Sequence, residues 1–337
     1  GGAIAPPVFC TNTQIICIII QIISIYLYTS NYPGQIIAYF MKHFTLPKEG
    51  GLIEKGIPAD ILHGFERIRT EIYDQSSTAS DKIADIIVNS INACQNRNFR
   101  LGLTTGSTPA SLYTRLKRAY DEGKVSFRNV EVYSIDEYYP YGKDEPQSRN
   151  MRLRSALLDG IDIPEENIHI PDGSVPQERI SEYCAEYDKA FRGLDLLVIG
   201  MGEQGQIGFN EAGTSLKSRT RTVLLSYHSR KRQGRFFNGD FKHTPAAALT
   251  VGLDTIMTAG KIILMAWGED KAEAVKRVAE MKPDSDYPAS LLQAHPDITC
   301  YTDETGASLL TRVVSPWMVG PCDWTRKFMR KAVVWLC

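Results

Sequence analysis

The sequence predicts an α/β fold: a single three-layer domain with a mostly parallel twisted sheet, helices on both faces and a lid segment. Two observations carry this. Strand-like and helix-like patterns alternate from Phe99 to Tyr301, the order that feeds parallel strands through covering helices. The apolar, β-rich run Leu194-Asp-Leu-Leu-Val-Ile199 also empties directly into the glycine-dense loop Gly200-Met-Gly-Glu-Gln-Gly-Gln-Ile-Gly208, where open α/β sheets hold their ligands. With 43% hydrophobic and 23% charged residues in 337, the composition is that of an ordinary globular chain.

The elements follow in order. Residues 1–40 read as a leader of doubtful native status. Within them Ile15 to Tyr28 is apolar and β-branched, shorter than the roughly 20 residues of a spanning helix, and Lys42 is the first positive charge. A signal anchor, an extra ordered element and a leader all fit this stretch, and Met41 offers a start for a domain over residues 41–310. Ser80 to Cys94 places Ile83, Ile86, Ile87, Ile91 and Cys94 at spacings of three and four, a helix facing the core, with Asp81 suited to its N-terminus. Phe99 to Leu103 is a strand, Thr104 to Thr108 a loop, and Pro109 opens a helix through about Glu122, at a position where proline is tolerated. Strand patterns recur at Val130 to Ile135, Leu194 to Ile199, Ala248 to Val251, Lys261 to Ala266 and Ile298 to Tyr301. Lys217 to His243, rich in Arg, Lys, Ser and Gly around Phe236-Phe237, reads as a mobile insertion able to cover a site. Residues 311–337 form a C-terminal extension.

Charge narrows the partners. The net charge of −1, from 38 basic and 39 acidic residues, provides no global field for nucleic acid or an anionic membrane. A small anionic ligand must therefore be held by local charge. Seven cysteines, odd in number and without a C-x-x-C pair, favour a reducing, cytoplasmic setting over a disulfide framework. His43, His63, His169, His228, His243 and His295 show no metal-ligand spacing, so no metal is expected.

Several segments carry chemistry. Gly200-Met-Gly-Glu-Gln-Gly205 formally matches the dinucleotide fingerprint, but Gly208 and Gly213 are poor residues for the helix that would hold a pyrophosphate, and no acidic residue ends a second strand where the ribose would need it. Thr104-Thr-Gly-Ser-Thr-Pro109 offers hydroxyls and backbone N–H groups at a helix start, suited to phosphate, with a plain strand-to-helix turn as its bland alternative. Ile135-Asp-Glu-Tyr-Tyr139 sets Asp136 and Glu137 at a strand's carboxyl end. Only one of them can face a site, and both could be solvated loop acids. The basic run Arg219, Arg221, Arg230, Lys231, Arg232 and Arg235 is a solvated face or a phosphate-seeking lid rather than a nucleic-acid patch. Lys271 is either a surface lysine or a phosphate ligand.

Taken together, Leu103-Thr-Thr-Gly-Ser-Thr-Pro109, Ser134-Ile-Asp-Glu-Tyr138, Gly205-Gln-Ile-Gly-Phe-Asn-Glu211, Ser218-Arg-Thr-Arg221, Arg235-Phe-Phe237, Ala248-Leu-Thr-Val-Gly252 and Gly268-Glu-Asp-Lys271 resemble, in order and spacing, the glucosamine-6-phosphate deaminase (glucosamine-6-phosphate isomerase) family. The resemblance covers about Phe99 to Leu310 and implies the single α/β domain which that family shares with 6-phosphogluconolactonases and ribose-5-phosphate isomerases. It implies conversion of an amino-sugar 6-phosphate to a ketose 6-phosphate plus ammonia, without cofactor, in amino-sugar catabolism. Asp136 matches the general base that moves a proton between C2 and C1 of the open-chain sugar, and Glu211 a carboxylate of the ring-opening group. Gly106, Ser107, Thr108, Arg235 and Lys271 match phosphate ligands, and Thr105 joins them from the same hydroxyl-rich loop. A cytoplasmic homo-oligomer is expected by analogy.

The departures fall in the ring-opening loop, where family members carry Asp-Gly-His and this chain has Gln204 and Gln206. Glutamine does not titrate, and loss of a general acid/base typically costs about 10²- to 10⁴-fold, so altered or reduced activity is implied. Val223 replaces a lysine of the effector site in regulated relatives, although Ser215 and Arg221 match other parts, and regulation by an amino-sugar phosphate is not expected. Ser315-Pro-Trp-Met-Val-Gly-Pro-Cys-Asp-Trp-Thr325 with Lys331-Ala-Val-Val-Trp335 resembles an extension of long bacterial members that leads into a deacetylase-like domain, which implies either a truncated chain or a shorter relative. Two other functions stay open: a catalytically idle sugar-phosphate-binding regulatory protein and a lactonase-like hydrolase on the same fold.

Overall fold

A computed structural model of the chain describes residues 65–319, 322 and 324–336. The leader over 1–40, with Ile15 to Tyr28, and the boundary at Met41 lie outside the described residues. The described residues fall into two compact units, Glu66–Leu310 and a second to which the residues from Thr311 onward belong.

In the first unit, strand and helix alternate: β1 (Arg69–Tyr73), α1 (Ser76–Ala93), β2 (Phe99–Leu103), α2 (Ala110–Asp121), β3 (Val130–Ser134), β4 (Asp136–Tyr139), α3 (Arg149–Ala156), β5 (Ile168–His169), α4 (Ile180–Phe191), β6 (Leu196–Gly200), β7 (Arg221–Leu224), α5 (Tyr227–Gln233), β8 (Ala247–Thr250), α6 (Leu253–Ile256), β9 (Ile262–Ala266), α7 (Ala272–Glu280) and β10 (Ile298–Asp303). Seven strands form a parallel sheet in the order β1-β10-β9-β6-β2-β3-β5. From β2 the chain winds outward through β3 to β5, returns to β6 on the other side of β2, and winds away through β9 and β10. The direction therefore reverses between β2 and β6, and the crevice at their carboxyl ends is the natural place for a ligand.

The strands bury both faces, as period-two geometry requires of a covered sheet. Leu101, Leu103, Val130, Val132, Leu196 and Val198 pack with Ile83, Ile87 and Ile91 of α1 and Leu112 and Leu116 of α2. Their neighbours Leu197, Ile199, Ile262 and Leu264 pack on the opposite face with Phe191 of α4, Ile256 of α6 and Val275 and Val278 of α7. This is the expected three-layer α/β arrangement.

Three local readings need correction. The first helix starts at Ser76, not near Ser80, because the polar Ser-Ser-Thr run holds no apolar period; Asp81 therefore lies inside the helix and pairs with Arg115 of α2. The edge strands β1 and β5 carried no strand signal, one being mostly polar and the other two residues long. The segment Ala248 to Val251 does not extend the parallel series. As β8 it lies between β4 and β7 in a separate antiparallel sheet, since a four-residue apolar run does not encode its direction. That sheet begins where β3 ends: the chain turns at Ile135, whose carbonyl accepts from Val251 N at 2.8 Å.

In the second unit, α8 (Thr311–Val314) and α9 (Arg326–Leu336) accompany a stacked pair, Trp317 and Trp324, with ring centroids 5.8 Å apart. Among the described residues no helix is long and apolar enough to cross a membrane.

Candidate active site

The loops leaving β2 and β6 meet at the switch point. The loop after β2 is pinned from both ends: Tyr113 Oη donates to the Thr104 carbonyl and Trp267 Nε1, just past β9, donates to the Thr108 carbonyl at 2.9 Å. The Thr108 side chain packs on Gly200, the last residue of β6, where an added methyl would come within 3.2 Å of it. Between these pins lie Thr105 and Gly106, half-buried, and Ser107, exposed, with Gly106 at a φ of +147°. The candidate phosphate residues of this loop are thus held together at the carboxyl edge of the sheet.

Asp136, the first residue of β4, is 1% exposed. Its Oδ1 is buried without a hydrogen-bond partner and lies 3.6 Å from Arg149 Nη1. Burial pushes this carboxyl above the usual aspartate range, while the guanidinium groups of Arg149 and Arg152 pull it back down. Gly208, at a φ of +57°, brings the loop after β6 so close that a Cβ there would meet Asp136 Oδ2 at 3.1 Å. A side chain at 208 would be strained by its backbone and would crowd the carboxylate.

Glu137 points the other way, as alternation on a strand requires, yet it too is fully buried, so neither acid is a solvated loop residue. Its carboxylate accepts from Tyr138 N at 2.8 Å, Arg149 N at 2.8 Å and Asn150 N at 2.9 Å, and Ser148 Oγ accepts from Met151 N. The orphan N–H groups of the first turn of α3 are thereby satisfied. Burial nevertheless pushes Glu137 up to about 7.

The start of α3 delivers two cations to the site that the sequence reading missed. Arg149 donates to Thr105 Oγ1 at 2.6 Å and stacks over Phe209 and Tyr138 at 4.6 and 5.2 Å. Arg152 lies 3.6 Å above the Phe236 ring, and burial lowers its guanidinium to about 10. Their i, i+3 spacing behind the capping residue Ser148 was the available signal.

The loop after β6 is closed by its own side chain. Gln206 Oε1 accepts from Gln204 N at 2.9 Å and the Gln206 carbonyl accepts from Gly202 N at 2.9 Å, while a methyl at Gly202 would fall 2.1 Å from Gln206 Cδ. Gln206 is therefore half-buried against its own backbone, whereas Gln204 is exposed. Glu211 Oε2 accepts from Ser226 N at 3.3 Å and its Oε1 is buried without a partner.

Lys271, at the end of a single turn after β9, is 6% exposed and therefore not a surface lysine. Its Nζ donates to Asp270 at 2.6 Å and lies 3.8 Å from Glu203. The basic run of the insertion folds into β7 and α5, and Gln233 of α5 accepts from Tyr138 Oη at 2.7 Å. Arg235 follows α5 and stacks on Phe236 at 4.6 Å; burial, with Arg232 and Arg149 nearby, lowers it. Arg221 turns aside to Asn210 Oδ1 at 3.1 Å, and no direct contact joins it to Asp136 or Lys271 among the described interactions.

Known proteins show the family and the fold of the chain. The family of glucosamine-6-phosphate isomerases/6-phosphogluconolactonase matches residues 74–300. A glucosamine-6-phosphate deaminase-like protein of Bacteroides thetaiotaomicron is 38% identical over 84% of this chain, and the chain spans only 43% of that relative's length. The glucosamine-6-phosphate deaminase of Thermoanaerobacter pseudethanolicus is 37% identical over 68% of this chain and 90% of its own. Among solved structures, a monomeric glucosamine-6-phosphate deaminase superposes with a TM-score of 0.68 at 32% identity, covering 72% of this chain and all of that one. A 6-phosphogluconolactonase of Leishmania guyanensis, at 17% identity and a TM-score of 0.57, covers 72% of this chain and 98% of its own and shares the fold.

Proposed function

This chain belongs to the glucosamine-6-phosphate isomerase/6-phosphogluconolactonase family, and from that premise we propose that it is a deaminase/isomerase acting on glucosamine 6-phosphate or a close hexosamine phosphate. The observation that carries the reading is Asp136: a buried carboxylate, one oxygen without a hydrogen bond, flanked by Arg149 and set at the switch-point crevice.

In this reading Asp136 removes the C2 proton of the open-chain sugar and returns it at C1, giving a C2 imine that water hydrolyses to the ketose with release of ammonia. A carboxylate raised by desolvation is a stronger base than one in water, and Arg149 and Arg152 oppose that rise. The loop Thr105-Gly-Ser-Thr108, Arg235 and Lys271 hold the phosphate. Glu211, with an unbonded buried oxygen, is the remaining titratable group of the ring-opening set. Gln204 and Gln206 supply no proton, so turnover draws on sugar that opens spontaneously or through water and is slower than in relatives with Asp and His there.

The test is ammonia release from glucosamine 6-phosphate by the full chain and by Asp136→Asn. Release that falls by about 10²-fold or more in the variant is expected for loss of a general base; no release above the variant would sink the assignment.

The folded-back geometry of Gln206 favours a second reading, a sugar-phosphate-binding protein without turnover. Under the leading proposal Gln206→His raises ammonia release, because only ring opening is missing. Tight sugar-phosphate binding with no release in either form would favour the binding role.

A further inference from the structure

The proposed phosphate end of the site is already occupied by the chain's own charge. Glu203 Oε1 lies 3.2 Å from Arg232 Nη1 and 3.8 Å from Lys271 Nζ, and its Oε2 lies 3.9 Å from His228 Nε2. One carboxylate thus gathers the buried lysine behind β9 and two residues of the lid helix α5. It is aimed there by the closed loop around it, in which Gly202 and Gln204 are both bonded to Gln206. Asp270 adds a second carboxylate on Lys271, and Arg235 senses the charge of Glu203.

A buried ammonium group needs a partner anion. In a site made for a phosphate that anion is normally the ligand. Here the protein supplies it, and a phosphoryl group arriving at Lys271 and Arg232 meets a fixed negative charge contending for the same cations. We propose that Glu203 is a resident counter-anion that substrate phosphate must displace, making it a residue that sets the affinity for phosphorylated ligands and ties α5 over the site in their absence. The inference rests on the assignment of Lys271 as a phosphate ligand. Displacement would release Arg232 and His228 from Glu203, so phosphate entry and the seating of the lid helix are coupled through one side chain.

The experiment is calorimetric titration of inorganic phosphate into the full chain at low ionic strength, with Glu203→Gln, Lys271→Met and the double variant alongside. Removing the competing charge while keeping the shape of the side chain is expected to tighten phosphate binding by about fivefold, the scale of a partly exposed ion pair, and Lys271→Met is expected to abolish the gain. Damage to the fold would weaken binding, so tightening separates this role from a structural one. Glu203→Gln binding that is equal to or weaker than wild type, while Lys271→Met still abolishes binding, would overturn the counter-anion and leave the functional reading intact. Binding insensitive to both substitutions, or absent throughout, would overturn the counter-anion together with the phosphate end of that reading.

Discussion

At the scale of residues, the account turns on the opposing pulls of burial and of two guanidinium groups on Asp136. Burial raises its carboxyl and the two α3 guanidinium groups lower it, so the balance is open to test. Removing a cation raises the carboxyl further. In Arg152→Met the acid limb of the kcat/KM profile for ammonia release should therefore move to higher pH; an unmoved limb would mean that Arg152 does not act on the base. Asp136 and Lys271 were legible because their types and neighbours form recognisable strings at strand ends. Arg149, Arg152 and Glu203 were not. Arg149 and Arg152 reach the site because Glu137 of β4 anchors the start of their helix, and Glu203 because Gln206 closes its loop; in one dimension a guanidinium turned inward reads like a solvated one. The sequence also marked Gln206 as a lost acid/base group but did not reveal its work in closing the loop over Gly202.

At the scale of elements, the turn at Ile135 is what makes the site. It hands the chain from the parallel sheet to the antiparallel one, so that Asp136 faces the crevice while Glu137 faces the start of α3. Glu137 then fixes the helix that brings both arginines. Folding raises Glu137 from 4.5 to about 7. The folded state holds its proton more tightly than the unfolded chain, so this contribution to stability is full below 4.5 and is lost as pH rises through 7. Glu137→Gln cannot accept all three N–H bonds and should cost about 1–3 kcal/mol. In thermal unfolding from about pH 5 to about pH 8 its gap to wild type should narrow, because only the wild type loses stability to this titration; a constant gap would contradict it. The strong apolar runs of β2, β3, β6 and β9 were readable, as were the faces of α1 and α2. The polar edge strands and the direction of β8 were not, since pairing partners and strand direction are settled by tertiary contacts.

At the scale of the whole molecule, the described α/β unit gathers at one reversal of strand order a hydroxyl-rich loop, a buried carboxylate, a glycine-lined loop and a buried lysine. The family match runs over residues 74–300, and in the proposed reading Gln204 and Gln206 are what set this chain apart from members with Asp and His at those places. The fold was legible because alternation constrains topology strongly; the degree of activity was not, because it depends on protons that these glutamines cannot carry. The most direct test is ammonia release from glucosamine 6-phosphate by the full chain, measured against Asp136→Asn under identical conditions. The account predicts slow release that drops by at least about 10²-fold in the variant, and equal rates from the two proteins, or none from either, would contradict it.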